Sequence, residues 1–239
     1  MSLYDLLVLF HLLLFVYWLG GDMGVFYSSG MVIDPKLSNS ARVTAAKIMV
    51  NLDLVPRICM SLMLTVGGLL TAQGGYMEHP LWQTVGFILL GPGWLGMVLF
   101  IHLKGGTPLG KTVTKIDYWF RWVLVIYLII SVGVSFAIGR LSSEPWIGGK
   151  LIVFAVMVFC GLMIRKYLPP YGMGILALRN DQISDEINEG MLKSLETVRP
   201  FVIAIWIGLV IEAYLGVVQP GGTLTTSDVL SSLVPFVGF

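Results

Sequence analysis

Six apolar runs, each close to the length that crosses a bilayer, constrain this chain more than any other feature. A spanning helix needs about 20 mostly apolar residues, and the runs near 3–26, 54–73, 82–103, 117–139, 147–168 and 200–218 meet that condition. Only 12% of the 239 residues are charged, and the mean hydropathy is +0.84. A soluble domain needs about twice that share of charge to solvate its surface. The expected fold is therefore all-α: a polytopic membrane helix bundle of about six transmembrane helices, with 1–239 a single integral membrane domain. A net charge of +1 provides no electrostatic footprint for nucleic acid, so the lipid bilayer is the expected partner. No Lys or Arg precedes the first run, Asp5 stands there instead, and no small-residue cleavage site interrupts it, so it reads as a span and not as a removed signal. Cys59 and Cys160 lie inside apolar runs, where free thiols behave as small hydrophobes.

Charge placement predicts orientation. Eleven of the 15 Lys and Arg fall between runs one and two, three and four, and five and six, whereas Arg140 and Lys150 occupy the other connections. The positive-inside rule then puts both termini outside, periplasmic for a multi-pass protein of the bacterial inner membrane. Helix one is expected to run on to about Ile33 and "SNSARVTAAKIMVNLD" to extend helix two, giving a cytoplasmic helical hairpin. Pro56 and "GPGWLG" at 91–96 are expected to kink helices two and three. Near 180–198, Ile183, Ile187, Met191, Leu195 and Val198 recur at helical spacing opposite charged residues. That pattern fits an amphipathic helix on the cytoplasmic membrane face, or one that docks a partner. Residues 219–239 form an outer tail too short to span.

Ionisable side chains in a bilayer are costly and mark bundle interiors, pairs or sites. Here they sort into two layers. The outer holds His11 and Glu212, with Met60 and Met63 at middle to outer depth on one face of helix two. The inner holds Asp22, Asp53, Arg57, His102, Asp117 and Arg121. Asp53 with Arg57, and Asp117 with Arg121, have the i, i+4 spacing that lets a carboxylate meet a guanidinium. They are either structural ion pairs or the walls of a polar cavity for an anionic or quinone-like substrate. Asp22 lacks a partner on its own helix, and Arg57 is the expected one. His79, in the loop "YMEHP", reads as a solvated residue.

His11 stands alone in the apolar run "FHLLLFVYWLGG", with Trp18 and Gly21 on its face. Imidazole is a common axial ligand of haem iron, and a glycine on that face admits either a flat macrocycle or another helix. The alternative is a hydrogen bond to a neighbouring helix, with Glu212 as acceptor. His102 would lie roughly 15–20 Å deeper than His11, too far to serve the same haem. The second axial position is thus empty or filled by a thioether from Met60 or Met63.

The pattern "HLLLFVYWLGG", together with "RICMSLMLTVGGLL" from Arg57 and "YWFRW" from Tyr118, resembles HemJ-type protoporphyrinogen oxidases and, more loosely, CopD-type copper-resistance membrane proteins. The similarity covers about residues 5–140, the expected four-helix core, with 141–218 adding two helices. It implies heme b held by His11. HemJ-type proteins carry a lysine in mid-helix three, whereas this chain has none there before Lys104, which speaks against porphyrinogen oxidation. The expectation is a haem-binding membrane oxidoreductase or electron-transfer subunit that exchanges electrons with quinone or a dehydrogenase partner. The alternatives are a cofactor-free accessory subunit of a larger membrane complex, and copper or small-solute transport.

Overall fold

A computed structural model describes residues 2–77 and 79–222. It contains eight helices and no strand among those residues: α1 (Leu3–Ile33), α2 (Asn39–Leu52), α3 (Leu54–Gln73), α4 (Leu81–Lys104), α5 (Pro108–Ala137), α6 (Pro145–Tyr167), α7 (Pro169–Arg179) and α8 (Asp185–Val218). Six stretches are long and apolar enough to span a membrane, α2 and α3 together counting as one. Residues 3, 73–77, 79–81, 137–145 and 218–222 gather at one end of the bundle, here the terminal end. The opposite, basic end carries most of the Lys and Arg.

Local chemistry starts and stops these helices. Ser2 Oγ accepts from the Asp5 amide at 3.1 Å while the Asp5 carboxylate accepts from the Ser2 amide at 2.7 Å, a capping box that opens α1. Ser38, Thr107 and Ser184 cap α2, α5 and α8 in the same sense, each accepting from the amide three residues on. Pro56 has no N–H for the carbonyl of Leu52, and the ladder breaks at Asp53, between α2 and α3. The kink expected at "GPGWLG" takes another form. α4 continues as one helix through Pro92, and Thr65 from α3 inserts beside it, donating to the Phe87 carbonyl at 2.6 Å and accepting from the Gly91 amide at 2.9 Å. A neighbouring helix thus satisfies the groups that the proline disturbs.

The amphipathic segment near 180–198 is neither a separate surface helix nor a free docking face. Its residues from Asp185 form the first half of α8, and the helix runs on unbroken through Pro200. Met191, Leu195 and Val198 are buried within the chain itself, in an apolar cluster with Val32, Ala46 and Tyr171. The pattern was amphipathic because one face meets α7 and the α1–α2 hairpin. α7, absent from the sequence reading, is pinned there by Tyr171, whose hydroxyl donates to the Ser29 carbonyl at 2.8 Å. Arg42 is buried as well, donating through Nε to the Val32 carbonyl at 2.6 Å and through its terminal nitrogen to Asn188.

The middle of the bundle is a continuous apolar core, with Leu14, Trp18, Leu64, Leu128, Val158 and Leu209 among its buried residues. Outward-facing Phe10, Tyr17, Leu89, Ile130 and Val210 remain exposed, as a lipid-facing surface requires. The expected outer tail falls, from residue 223 onward, outside the described residues.

Candidate functional site

Two polar layers flank the apolar core. The layer toward the terminal end is built from three helices: His11 on α1, Lys150 on α6 and Glu212 on α8. Lys150 Nζ lies 3.7 Å from Glu212 Oε2. Two glycines face this layer. A Cβ on Gly67 of α3 would stand 3.5 Å from His11 Cε1, and one on Gly216, a turn beyond Glu212, only 2.9 Å from Lys150 Nζ. His11 Nδ1 and Glu212 Oε1 are both buried and have no hydrogen-bond partner among the described residues. The expected bond between His11 and Glu212 is not formed, because the carboxylate turns to Lys150.

Lys150 stands inside the 147–168 run yet counts with the outer connection in the charge tally; Pro145, suited to the first position of a helix, starts α6 and leaves Lys150 in its second turn. "EPW" was the available signal.

The layer toward the basic end centres on Asp117, fully buried on α5. Its carboxylate accepts from Trp94 Nε1 at 3.0 Å and from Arg121 Nε at 3.1 Å, and lies 2.7 Å from Arg165 NH1. The Arg121 guanidinium covers the Trp94 ring, 5.1 Å from its centroid. Arg165 stands in the last turn of α6, although the charge tally counts it with the connection that follows; a basic residue one turn from a helix end is still within reach of the core. The i, i+4 pairs expected at Asp117 and Arg121 and at Asp53 and Arg57 are both present. The second is a third or more exposed. Asp22 does not pair with Arg57. It accepts from Trp206 Nε1 of α8 at 3.3 Å, because Arg57 is already engaged by Asp53 one turn away.

The remaining predicted residues sort clearly. Met60 sits with the basic-end layer, its sulphur 3.7 Å from Arg121 NH1. Gly67, which faces His11, is seven residues farther along α3, about 10 Å by helical rise, so Met60 is not at the level of the histidine. Met63, one turn from Gly67, packs half-buried against the core. Trp18 is buried in edge-to-face contact with Phe154. Gly21 serves the close approach of α1 and α3, since a Cβ there would come within 3.0 Å of Pro56 Cδ. Its small size is used by a helix. His102 ends α4, exposed.

His79 is not simply solvated. Its ring is half-buried, with Nε2 at 2.9 Å from Thr71 Oγ1, and Nδ1 at 3.2 Å from Gln83 and 3.3 Å from an Arg140 nitrogen. Burial holds its pKa below the ordinary imidazole range and the Arg140 charge adds to that, against the opposing effect of the Gln83 bond. It joins α3, α4 and the 137–145 connection at the terminal end.

Fold and polar layers together define a class: a polytopic all-α membrane bundle of six spans with ionisable clusters on either side of an apolar middle. Compared with family models, with curated proteins and with solved structures, the chain matches none.

Proposed function

We propose that this is a b-type haem protein of the bacterial inner membrane, with both termini outside, in which His11 supplies the axial imidazole. The observation that supports this best is His11 Nδ1. A buried ring nitrogen without a partner costs free energy, and in a bundle of tightly matched helices it calls for a partner that the described residues do not supply. Heme b, when bound, brings one-electron chemistry. His11 would hold the iron through its ring, and Met63 of α3 is the thioether that would serve as a second ligand. Lys150 and Glu212 set the local charge, and the apolar core below keeps water away. The partly buried Asp22 and the more exposed Asp53 and Arg57 are the groups that would face a quinone or a partner enzyme. An apolar layer between the two polar ones suits an electron carrier better than a solute path.

The test is the reduced-minus-oxidised visible spectrum of the detergent-purified protein, produced with ample haem, beside that of His11→Ala. A haem difference spectrum in the wild type that vanishes in the variant is expected. A colourless wild type, or a variant with an unchanged spectrum, overturns the assignment.

A further inference from the structure

One carboxylate, Asp117, serves two guanidiniums. Arg121 and Arg165 both hold it, so this cluster carries one more positive charge than negative, in a place where Arg121 is only 5% exposed. Nearby Arg57 adds no surplus, because Asp53 balances it. A desolvated excess charge is expensive unless an ion of opposite sign completes it.

The geometry leaves room for that ion. Among the described residues, Arg121 NH1 has only the Met60 sulphur, a weak acceptor, at 3.7 Å. It points toward Gly161 of α6, where an added Cβ would still be 3.9 Å from the nitrogen. Gly161 and Arg165 are four residues apart and so share one face of α6. The Arg165 side chain is 27% exposed, which opens the cluster to the surroundings. Two guanidiniums, one buried and one at the rim, flank a helix face without a side chain.

The geometry points to an oxyanion site over Gly161, in which Arg121 and Arg165 bind a phosphate group, that of an anionic phospholipid or free phosphate. Guanidinium forks match phosphate oxygens in geometry as well as charge. The site lies at the basic end, where a membrane presents headgroups and neighbouring Lys166 adds attraction. It does not depend on haem at His11.

The test uses the full chain in phosphatidylcholine nanodiscs with and without phosphatidylglycerol, reading lipid retained on the protein by native mass spectrometry. Melting with and without inorganic phosphate is measured in parallel. Arg165→Gln removes a charge, and Gly161→Leu fills the space while keeping every charge, so the second decides if the first fails to fold. Retention of phosphatidylglycerol that drops about tenfold in the variants supports the site with lipid as its source. A phosphate-induced rise in melting temperature, present in the wild type and absent from the variants, supports it with a soluble source. If neither probe separates the wild type from folded variants, the proposal is overturned.

Discussion

Residues that look alike in the sequence differ here by what surrounds them. Asp53 and Asp117 each precede an arginine by four positions, yet the first pair is partly exposed and the second is sealed between α4, α5 and α6. Asp117→Asn leaves two guanidiniums without their shared anion and is expected to destabilise the protein by about 3 kcal/mol. Asp53→Asn should cost less than about 1 kcal/mol. Denaturant or thermal melts of the two variants in one detergent check the ordering, and equal losses would refute it. His79 supplies the pH dependence. Its pKa is depressed in the folded protein, so the native state binds fewer protons than the unfolded one as pH falls through the ordinary imidazole value near 6.5. Its contribution is therefore complete above that range and is lost on acidification. Melting temperatures from neutral pH down to about pH 5 should fall less steeply for His79→Gln than for the wild type. The i, i+4 pairs were legible because helix periodicity alone brings those residues together. The third partner of Asp117 and the true partner of Asp22 were not, because Arg165 and Trp206 come from other helices.

At the scale of elements, one threonine shows how the bundle tolerates its own breakers. Thr65 stitches α3 to α4 beside Pro92, bonding both an acceptor and a donor of the neighbouring ladder. Thr65→Val keeps the shape and removes both bonds. The expected loss is about 1–2 kcal/mol, measured as a shift in denaturation midpoint; no shift would mean that the carbonyl and amide find other partners. The same scale explains the misread amphipathic segment. Periodicity near 180–198 correctly announced a helix with one apolar face, but said nothing of what covers it. The cover is α7, whose proline-led stretch from Pro169 was too short and too mixed in character to stand out. Helix starts at Ser2, Ser38, Thr107 and Ser184 were available locally, since a short hydroxyl side chain needs only the next turn's amides.

For the whole molecule, the six spans follow from the length of the apolar runs, whereas the proposed orientation, both termini outside, rests on where the cations fall. Single-cysteine labelling of intact cells tests the latter. Ser142→Cys at the terminal end should react with an impermeant maleimide from outside, and Thr107→Cys only after permeabilisation; the reverse pattern would invert the assignment. The native thiols, Cys59 and Cys160, are buried and give a low background.

Composition and period by themselves determined the class of this protein, because a bilayer leaves few solutions for a chain with six long apolar runs: each must close its backbone hydrogen bonds internally as a helix. They also placed His11, Asp117 and Arg121 inside it. Only the tertiary structure decided which of the charges meet. Lys150 and Glu212 come together from α6 and α8, and Arg165 joins Asp117 from another span. Helix-to-helix packing sets those distances, and at Gly21 the missing side chain lets α1 come close to Pro56 of α3.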